Sequence, residues 1–345
     1  MRRLLMIGAL LTAAIALPAQ AQTFKIATIA PDGTAWMNEM RKGADEIKAR
    51  TDGRVKFRFF PGGIMGNDKS VLRKIRIGQL HGGAIVSGGL TAIYPDIGIY
   101  SLPFTFRTEA EVDYVRSKMD PILINGLKEN GFVSFGLAEG GFAYLMSNHP
   151  IKVVDDFKGQ KVWVPQNDDV SRAAFESVGI SPISLALSDV LTGLQTGLID
   201  TIAGSASGAI ALQWHTRVKY LMDEPLSYLY ASMIISQKKF KRLTAGDQKI
   251  VTEIMGATFK RLNNLNREDD VNARAALQAQ GITFIKLSPQ LTGQWFDIRK
   301  NVEQSMIQKG VISREIVTML QKYLDEYRAL SAAVKPVQAV HNSSL

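Results

Sequence analysis

Hydrophobic period switches between helix-like and strand-like again and again along this chain, and that alternation leaves few architectures open. Residues 24–29 read as a short strand. After the turn Pro31-Asp32-Gly33, the apolar positions Trp36, Met40, Ala44 and Ile47 return on one helix face, with Thr34 placed to cap it. Thr51-Asp52-Gly53 ends that helix. Val55, Phe57 and Phe59 then alternate with Lys56 and Arg58, the period of a half-buried strand, until Pro61-Gly62-Gly63 breaks it. Asp68 stands where it can cap a helix carrying Val71, Leu72 and Ile75 inward, and 82–87 is another strand. Strands alternating with helices imply a mostly parallel sheet with covered faces.

The same grammar continues past a loop at Pro103, with a helix over 109–128 and strands over 132–138 and 143–147, separated at Gly140-Gly141. A second series starts near Pro150: strand 161–164, helix 168–177, helix 188–196 and strand 198–203. An apolar strand covers 228–236. The proline-free stretch 246–280 spaces Ile250, Ile254, Ala257 and Leu265 as a helix, longer than one lobe needs. With 345 residues the chain also exceeds a typical single core. The expected fold is therefore α/β and two-lobed, with mixed, mostly parallel sheets and a long lobe-spanning helix. Lobe one should take 22–143 and 229–265, lobe two 144–228 and 266–330, with 331–345 a flexible tail.

The N-terminus sets the compartment. Arg2 and Arg3 precede an apolar stretch, 4–17, and Ala19-Gln20-Ala21 supplies small residues for a signal peptidase. Residues 1–21 read as a secretory leader cut near Ala21, which places the protein in the periplasm. No later apolar run reaches the length of a spanning helix. Losing Arg2 and Arg3 takes the net charge from +9 to +7. The basic residues are dispersed, without aromatic interleaving, so no nucleic-acid partner is expected.

Enzyme templates fail one by one. The chain has no cysteine, which removes disulfides, thiolate metal sites, a cysteine nucleophile and a lipoprotein anchor. His81, His149, His215 and His341 are never spaced as zinc ligands on a helix. Gly204-Ser205-Ala206-Ser207-Gly208 has alanine where a nucleophile elbow needs serine. Asp155-Asp156 and Asp168-Asp169 read as helix caps, and Glu268-Asp269-Asp270 as a solvated face. Neither catalytic residues nor a metal or cofactor are expected, although an exported hydrolase built from scattered acids and His149 or His215 is the competing class. What stands out instead are glycine- and aromatic-rich loops at strand ends: 30–36, 61–66, Ser87-Gly88-Gly89, Gly140-Gly141-Phe142, 163–167 and Gly204-Ser205. Strand ends are where open α/β sheets bind ligands, so these loops point to a cleft closing on a small molecule.

Seven stretches carry a family resemblance. They are Thr51-Asp52-Gly53-Arg54-Val55, Phe60-Pro61-Gly62-Gly63 with Met65-Gly66, Arg76-Ile77-Gly78-Gln79-Leu80 and Leu102-Pro103-Phe104. Asp156-Phe157-Lys158-Gly159 with Lys161, Gly179 with Pro182, and Leu194-Gln195-Thr196-Gly197-Leu198-Ile199-Asp200 follow in order. In these the chain resembles the extracytoplasmic solute-binding proteins of tripartite ATP-independent periplasmic (TRAP) transporters, the DctP-like family. The resemblance implies two α/β lobes closing over a ligand by a hinge, no chemistry, and TRAP membrane subunits as partners. A monomer is expected.

Two departures bear on the ligand. Most members place an arginine, which forks onto a ligand carboxylate, where this chain has Trp163 in Lys161-Val162-Trp163-Val164. The usual asparagine of a Glu-Asn-Pro segment aligns with Gly204-Ser205. The pattern is closer to a branch with Lys-x-Trp-Val and Ala-Pro-x-Gly-Thr-x-Trp signatures, for which hydrophobic ligands have been proposed. Trp36, Met65, Phe104, Phe142, Trp163 and Trp214 are the expected apolar lining, with Ser87, Glu139, Asn167, Gly204 and Ser205 as polar or backbone contacts. A largely hydrophobic or amphipathic ligand is expected. The alternatives are an organic acid held by other residues, Arg172 or a lysine among them, and a periplasmic lipid carrier working without a transporter.

Overall fold

A computed structural model describes residues 21–334. The expected leader lies, but for Ala21, outside the described residues. The chain opens with β1 (Gln22–Ala27), α1 (Ala35–Arg50), β2 (Val55–Phe60), α2 (Asp68–Arg76), β3 (Gly82–Val86) and α3 (Ser87–Thr91). Helix α4 (Glu109–Glu129) leads to β4 (Phe132–Ser134) and the long β5 (Ala138–Ser147). Next come β6 (Trp163–Pro165), α5 (Asp169–Ser177), β7 (Ile183–Leu185), α6 (Val190–Thr196), β8 (Thr201–Gly204), α7 (Ala206–Ala211) and β9 (Tyr220–Met222). The second long strand, β10 (Ser227–Ser236), runs through α8 (Gln237–Phe240) into α9 (Ala245–Ala279). β11 (Thr283–Ile285), α10 (Pro289–Gln308) and α11 (Arg314–Val334) complete the chain.

Among the described residues, nine strands form one mixed sheet with two ends. At the first end β2, β1 and β3 run parallel, with Phe24 opposite Phe57 and Ile26 opposite both Phe59 and Gly82. β10 lies antiparallel to β3 and to β4. β5 pairs antiparallel with β10 over its first half, from Ala138 opposite Ala231 to Ala143 opposite Ser227. Its second half leaves β10 and pairs with β8 and β9, and β9 takes β11 in parallel. The sheet is parallel at its flanks and antiparallel where the two long strands run. β6 and β7 form a separate parallel ribbon, Trp163 opposite Ile183.

Two strands were expected where β5 is continuous. Gly140-Gly141 reads as a break, but Gly141 takes φ 79° opposite a register shift at Leu229/Tyr230, so the strand bends and continues. A Cβ at Gly140 would lie 2.9 Å from that of Leu229, so close approach also requires glycine there.

Helix α9 matches the expected long helix and packs on α1 at one end and on α7 at the other. Met40 and Ile47 of α1 share a core with Ile254, Phe259 and Leu262 of α9 and with Phe24 and Met233 of the sheet. A second core joins Leu145, Val164, Phe175 and Trp295 beneath α5 and α10. Helix α11 differs from expectation: it packs on α4, in the part of the chain assigned to the first lobe, with Arg328 Nε donating to Glu111 at 2.8 Å. Residues 331–334, placed in a flexible tail, are the last of this helix. The rest of that tail lies outside the described residues.

Replacing Gly141 by alanine forces a Cβ into a left-handed conformation. The substitution should lower stability by about 1–2 kcal/mol in urea unfolding, with the slope of the transition unchanged.

Candidate functional site

Where β5 passes from one end of the sheet to the other, the fold forms a partly open cavity of about 420 Å³. That is the size of a small-molecule site. β5 and β10 supply a floor of Ala138, Ala143, Leu145, Leu229 and Ala231. One wall comprises Trp36, the loop of Gly62, Gly63 and Gly66, Asn67, Asp68, Ser87 and Gly88. The other comprises Trp163 to Asp168, Phe157, Phe175, Ser188, Gly204, Ser205, Trp214 and Trp295. The walls meet: Asn67 Nδ2 donates to Gln166 Oε1 at 2.9 Å.

Of the eleven residues expected at the site, Trp36, Ser87, Phe104, Glu139, Trp163, Asn167, Gly204, Ser205 and Trp214 line this cavity. Phe142 does not. Past Gly141, alternation along β5 turns Ala143 and Leu145 to the cavity and sends Phe142, Tyr144 and Met146 into the main core on the opposite face. There Phe142 meets Tyr228, ring centroids 5.2 Å apart, and the Arg274 guanidinium of α9 covers the Tyr144 ring at 4.6 Å. Met65 is the second exception. Left-handed turns at Gly63 and Gly66 present glycine to the cavity, while Met65 packs against the core with its carbonyl accepting from Lys74 Nζ at 2.8 Å.

Trp163 is 2 % exposed, and its indole N–H donates to Leu185 O at 3.1 Å. That bond satisfies the polar end of the indole, and the ring stands edge-to-face against Trp214 at 5.4 Å. Two non-glycine residues of the lining hold left-handed backbone, Phe104 at φ 53° and Asn167 at φ 69°. Asparagine tolerates this and phenylalanine does not, so Phe104 stores strain at the cavity. It is held by its N–H on Leu226 O at 2.6 Å and by its ring against Trp295 at 5.2 Å.

The charges are one-sided. Among the described residues the cavity is lined by Asp68, Glu139 and Asp168 and by no lysine, arginine or histidine. Glu139 was expected to orient ligand, but its carboxylate is committed inside the protein. Arg116 Nη1 reaches Oε1 at 2.6 Å, Arg267 Nε reaches Oε2 at 2.6 Å, and Arg267 Nη2 reaches Oε1 at 2.9 Å. Asp168 caps α5, as the sequence indicated, with Ser171 N–H on Oδ1 at 3.0 Å and the Ser171 hydroxyl on Oδ2 at 2.7 Å. Burial holds its carboxyl above the usual range. Arg172 is outside the lining and donates to Ser184 Oγ at 3.2 Å.

Asp68 is the residue that sequence reasoning missed. Asn67, not Asp68, caps α2, accepting from Ser70 N–H at 3.0 Å. Asp68, half-buried on the wall, has its carboxyl pushed up to about 7 by burial, opposed by the backbone N–H of Val86. The acid run of α9 is also more than a solvated face. Glu268 and Asp269 are exposed, but Asp270 accepts from Ser207 N–H at 3.2 Å and Arg267 grips Glu139.

Residues 26–309 match the model of the bacterial extracellular solute-binding protein family 7, DctP. The chain belongs to that family. Its members are receptors that bind small molecules and work with TRAP membrane subunits. A solute-binding protein of Verminephrobacter eiseniae is 30% identical over 251 residues, 70% of this chain and 72% of that protein. The C4-dicarboxylate-binding periplasmic protein DctP of Rhodobacter capsulatus is 24% identical over 306 residues, 87% of this chain and 91% of its own. Among solved structures, the sugar acid binding protein of Advenella mimigardefordensis in complex with galactonate superposes with TM-score 0.81. It is 19% identical and covers 89% of this chain and 99% of that one. A TRAP periplasmic solute-binding protein of Xanthobacter autotrophicus with bound β-D-galacturonate gives TM-score 0.79 at 20% identity, covering 88% and 99%. No described helix is long and apolar enough to cross a membrane.

Two outcomes follow from the electrostatics. Glu139→Ala strips a buried partner from Arg116 and should cost about 2–4 kcal/mol in urea unfolding. Asp113→Ala, removing an exposed partner of Arg267, should cost under about 1 kcal/mol. The raised value of Asp68 stabilises the fold fully below the unfolded value of 3.8, and that stability is lost as pH rises through about 7. Asp68→Asn should therefore leave Tm nearly unchanged at pH 4 and raise it by about 5 °C at pH 8, checked by differential scanning calorimetry.

Proposed function

We propose that this protein is a periplasmic receptor, released by cleavage near Ala21, that captures a largely apolar or amphipathic small molecule and delivers it to TRAP membrane subunits as a monomer. The carrying observation is a cavity walled by Trp36, Phe104, Trp163, Trp214 and Trp295 and lined by no basic side chain among the described residues. A ligand carboxylate there would find no guanidinium fork and no other basic side chain among the described residues of the lining. Apolar area does the binding instead, at about 25 cal/mol for each Å² removed from water. The protein performs no chemistry on its ligand.

In this reading the two ends of the sheet belong to two lobes, divided at Gly140-Gly141 in β5 and at the Leu229/Tyr230 bulge in β10. Ligand held between the walls favours the closed state in which Asn67 reaches Gln166. The named ligands of the solved relatives favour a second reading, an organic acid. It needs Arg172 to leave Ser184 and enter the cavity.

Extraction of the protein from the periplasm, denaturation and mass spectrometry of the released molecule separate the two. An apolar or amphipathic compound is expected, with binding lost in Trp163→Ala and not restored by Trp163→Arg. A short dicarboxylate or sugar acid, bound tightly by Trp163→Ala and lost in Arg172→Ala, would establish the second reading.

A further inference from the structure

The neighbouring glycines of α3 make room for two acids. A Cβ at Gly88 would lie 2.8 Å from the Cβ of Asp168, and a Cβ at Gly89 would strike Asp68 Oδ2. Any other residue at either position would push a carboxyl group away from the cavity wall. The three acids of the lining are not equivalent. Glu139 is answered by two guanidinium groups, and both oxygens of Asp168 are taken by Ser171. Asp68 is in no ion pair and no side-chain hydrogen bond among the described residues, and the Val86 N–H is the one group that meets it. A carboxylate has about four acceptor sites, and Asp68 belongs to the cavity lining, so acceptor capacity remains for a donor that enters the cavity. Leaving such a group beside apolar walls costs stability unless something entering the cavity answers it.

Building on the receptor reading, we propose that the ligand joins its apolar body to a protonated amine, and that Asp68 is the residue that receives the ammonium. An ammonium brings three donors and the opposite charge, and the indole faces of the lining favour a cation as well. A carboxylate brings only acceptors and like charge. The groups around Asp68 do not supply the missing cation. β3 and α3 carry no ionisable side chain, Lys69 and Arg73 on its own helix are exposed, and Lys74 is occupied with the Met65 carbonyl. Asp168 and Glu139, the other acids of the lining, bring no cation to it either: the Glu139 carboxylate is taken up by Arg116 and Arg267, and that of Asp168 by Ser171.

The test uses three probes with one apolar body: 2-phenylethylamine, 2-phenylethanol and phenylacetate, titrated calorimetrically into mature protein freed of native ligand. At pH 8 the amine should bind at least tenfold tighter than phenylacetate. It should weaken at least fivefold at pH 5.5, where Asp68 holds its proton, whereas the alcohol changes less than twofold. Asp68→Asn should weaken the amine at least tenfold and leave the alcohol within threefold, which also shows that the variant is folded and its cavity intact. Phenylacetate binding as tightly as the amine, or an Asp68→Asn protein that keeps its amine affinity, would overturn the proposal. A native ligand that is apolar but carries no amine would overturn it too, leaving the receptor reading in place. Absence of any bound molecule, native or probe, would overturn both.

Discussion

Two guanidinium groups close on one buried carboxylate at the point where β5 leaves one end of the sheet for the other. Arg116 comes from α4 and Arg267 from α9, and Glu139, 5 % exposed, accepts from both. Removing three charges from water is expensive, and it is tolerated here because every oxygen of Glu139 is bonded and Arg116 has a second carboxylate in Asp120. Asn263 and Asn266 of α9 bond the Glu139 backbone on either side, at 2.9 and 2.5 Å. Strand β5 and helices α4 and α9 are thereby fixed to each other at one residue. The grip continues along α9. Arg267, Asp270 and Arg274 lie three and four residues apart, on one helical stripe, and hold Glu139, Ser207 and Asp223 in turn. The long helix thus ties both ends of the sheet while its apolar positions fill the core over α1.

That arrangement leaves the opposite face of the long strands free to floor a cavity. Side chains of β5 that point toward α9 are large, Phe142, Tyr144 and Met146, whereas those that point away are Ala143 and Leu145. Space for a ligand exists because the floor is small and the walls carry the aromatics. The strained backbone of Phe104 and the Asp68 carboxyl, pushed up by burial, both sit on this lining, where a binding site, rather than a core, tolerates their cost.

Much of this was legible in the sequence. Period alternation marked the α/β order, the proline-free run at 246–280 marked α9, and the glycine- and aromatic-rich strand ends marked most of the cavity. What escaped depended on geometry that periodicity does not carry. The side of the sheet taken by Phe142 depends on the bend at Gly141, where a local reading sees only a break. The fate of Glu139 is decided by Arg267, 128 residues away, and that of Asp270 by Ser207, 63 residues away. Asp68 looked like a cap because its neighbour Asn67 is equally suited to the task, and only the φ/ψ of the turn assigns it. The α11 contact with α4 has no local signal at all, being written in ion pairs such as Arg328 with Glu111.

The most direct measurement is a crystal structure of the protein purified from the periplasm with the molecule it carries. Density for an apolar body between the Trp163 and Trp214 rings, with its polar end at Asp68 and the Asn67–Gln166 contact closed over it, is the expected result. A ligand carboxylate paired with Arg172 inside the cavity, or a ligand bound elsewhere with the cavity empty, would contradict it.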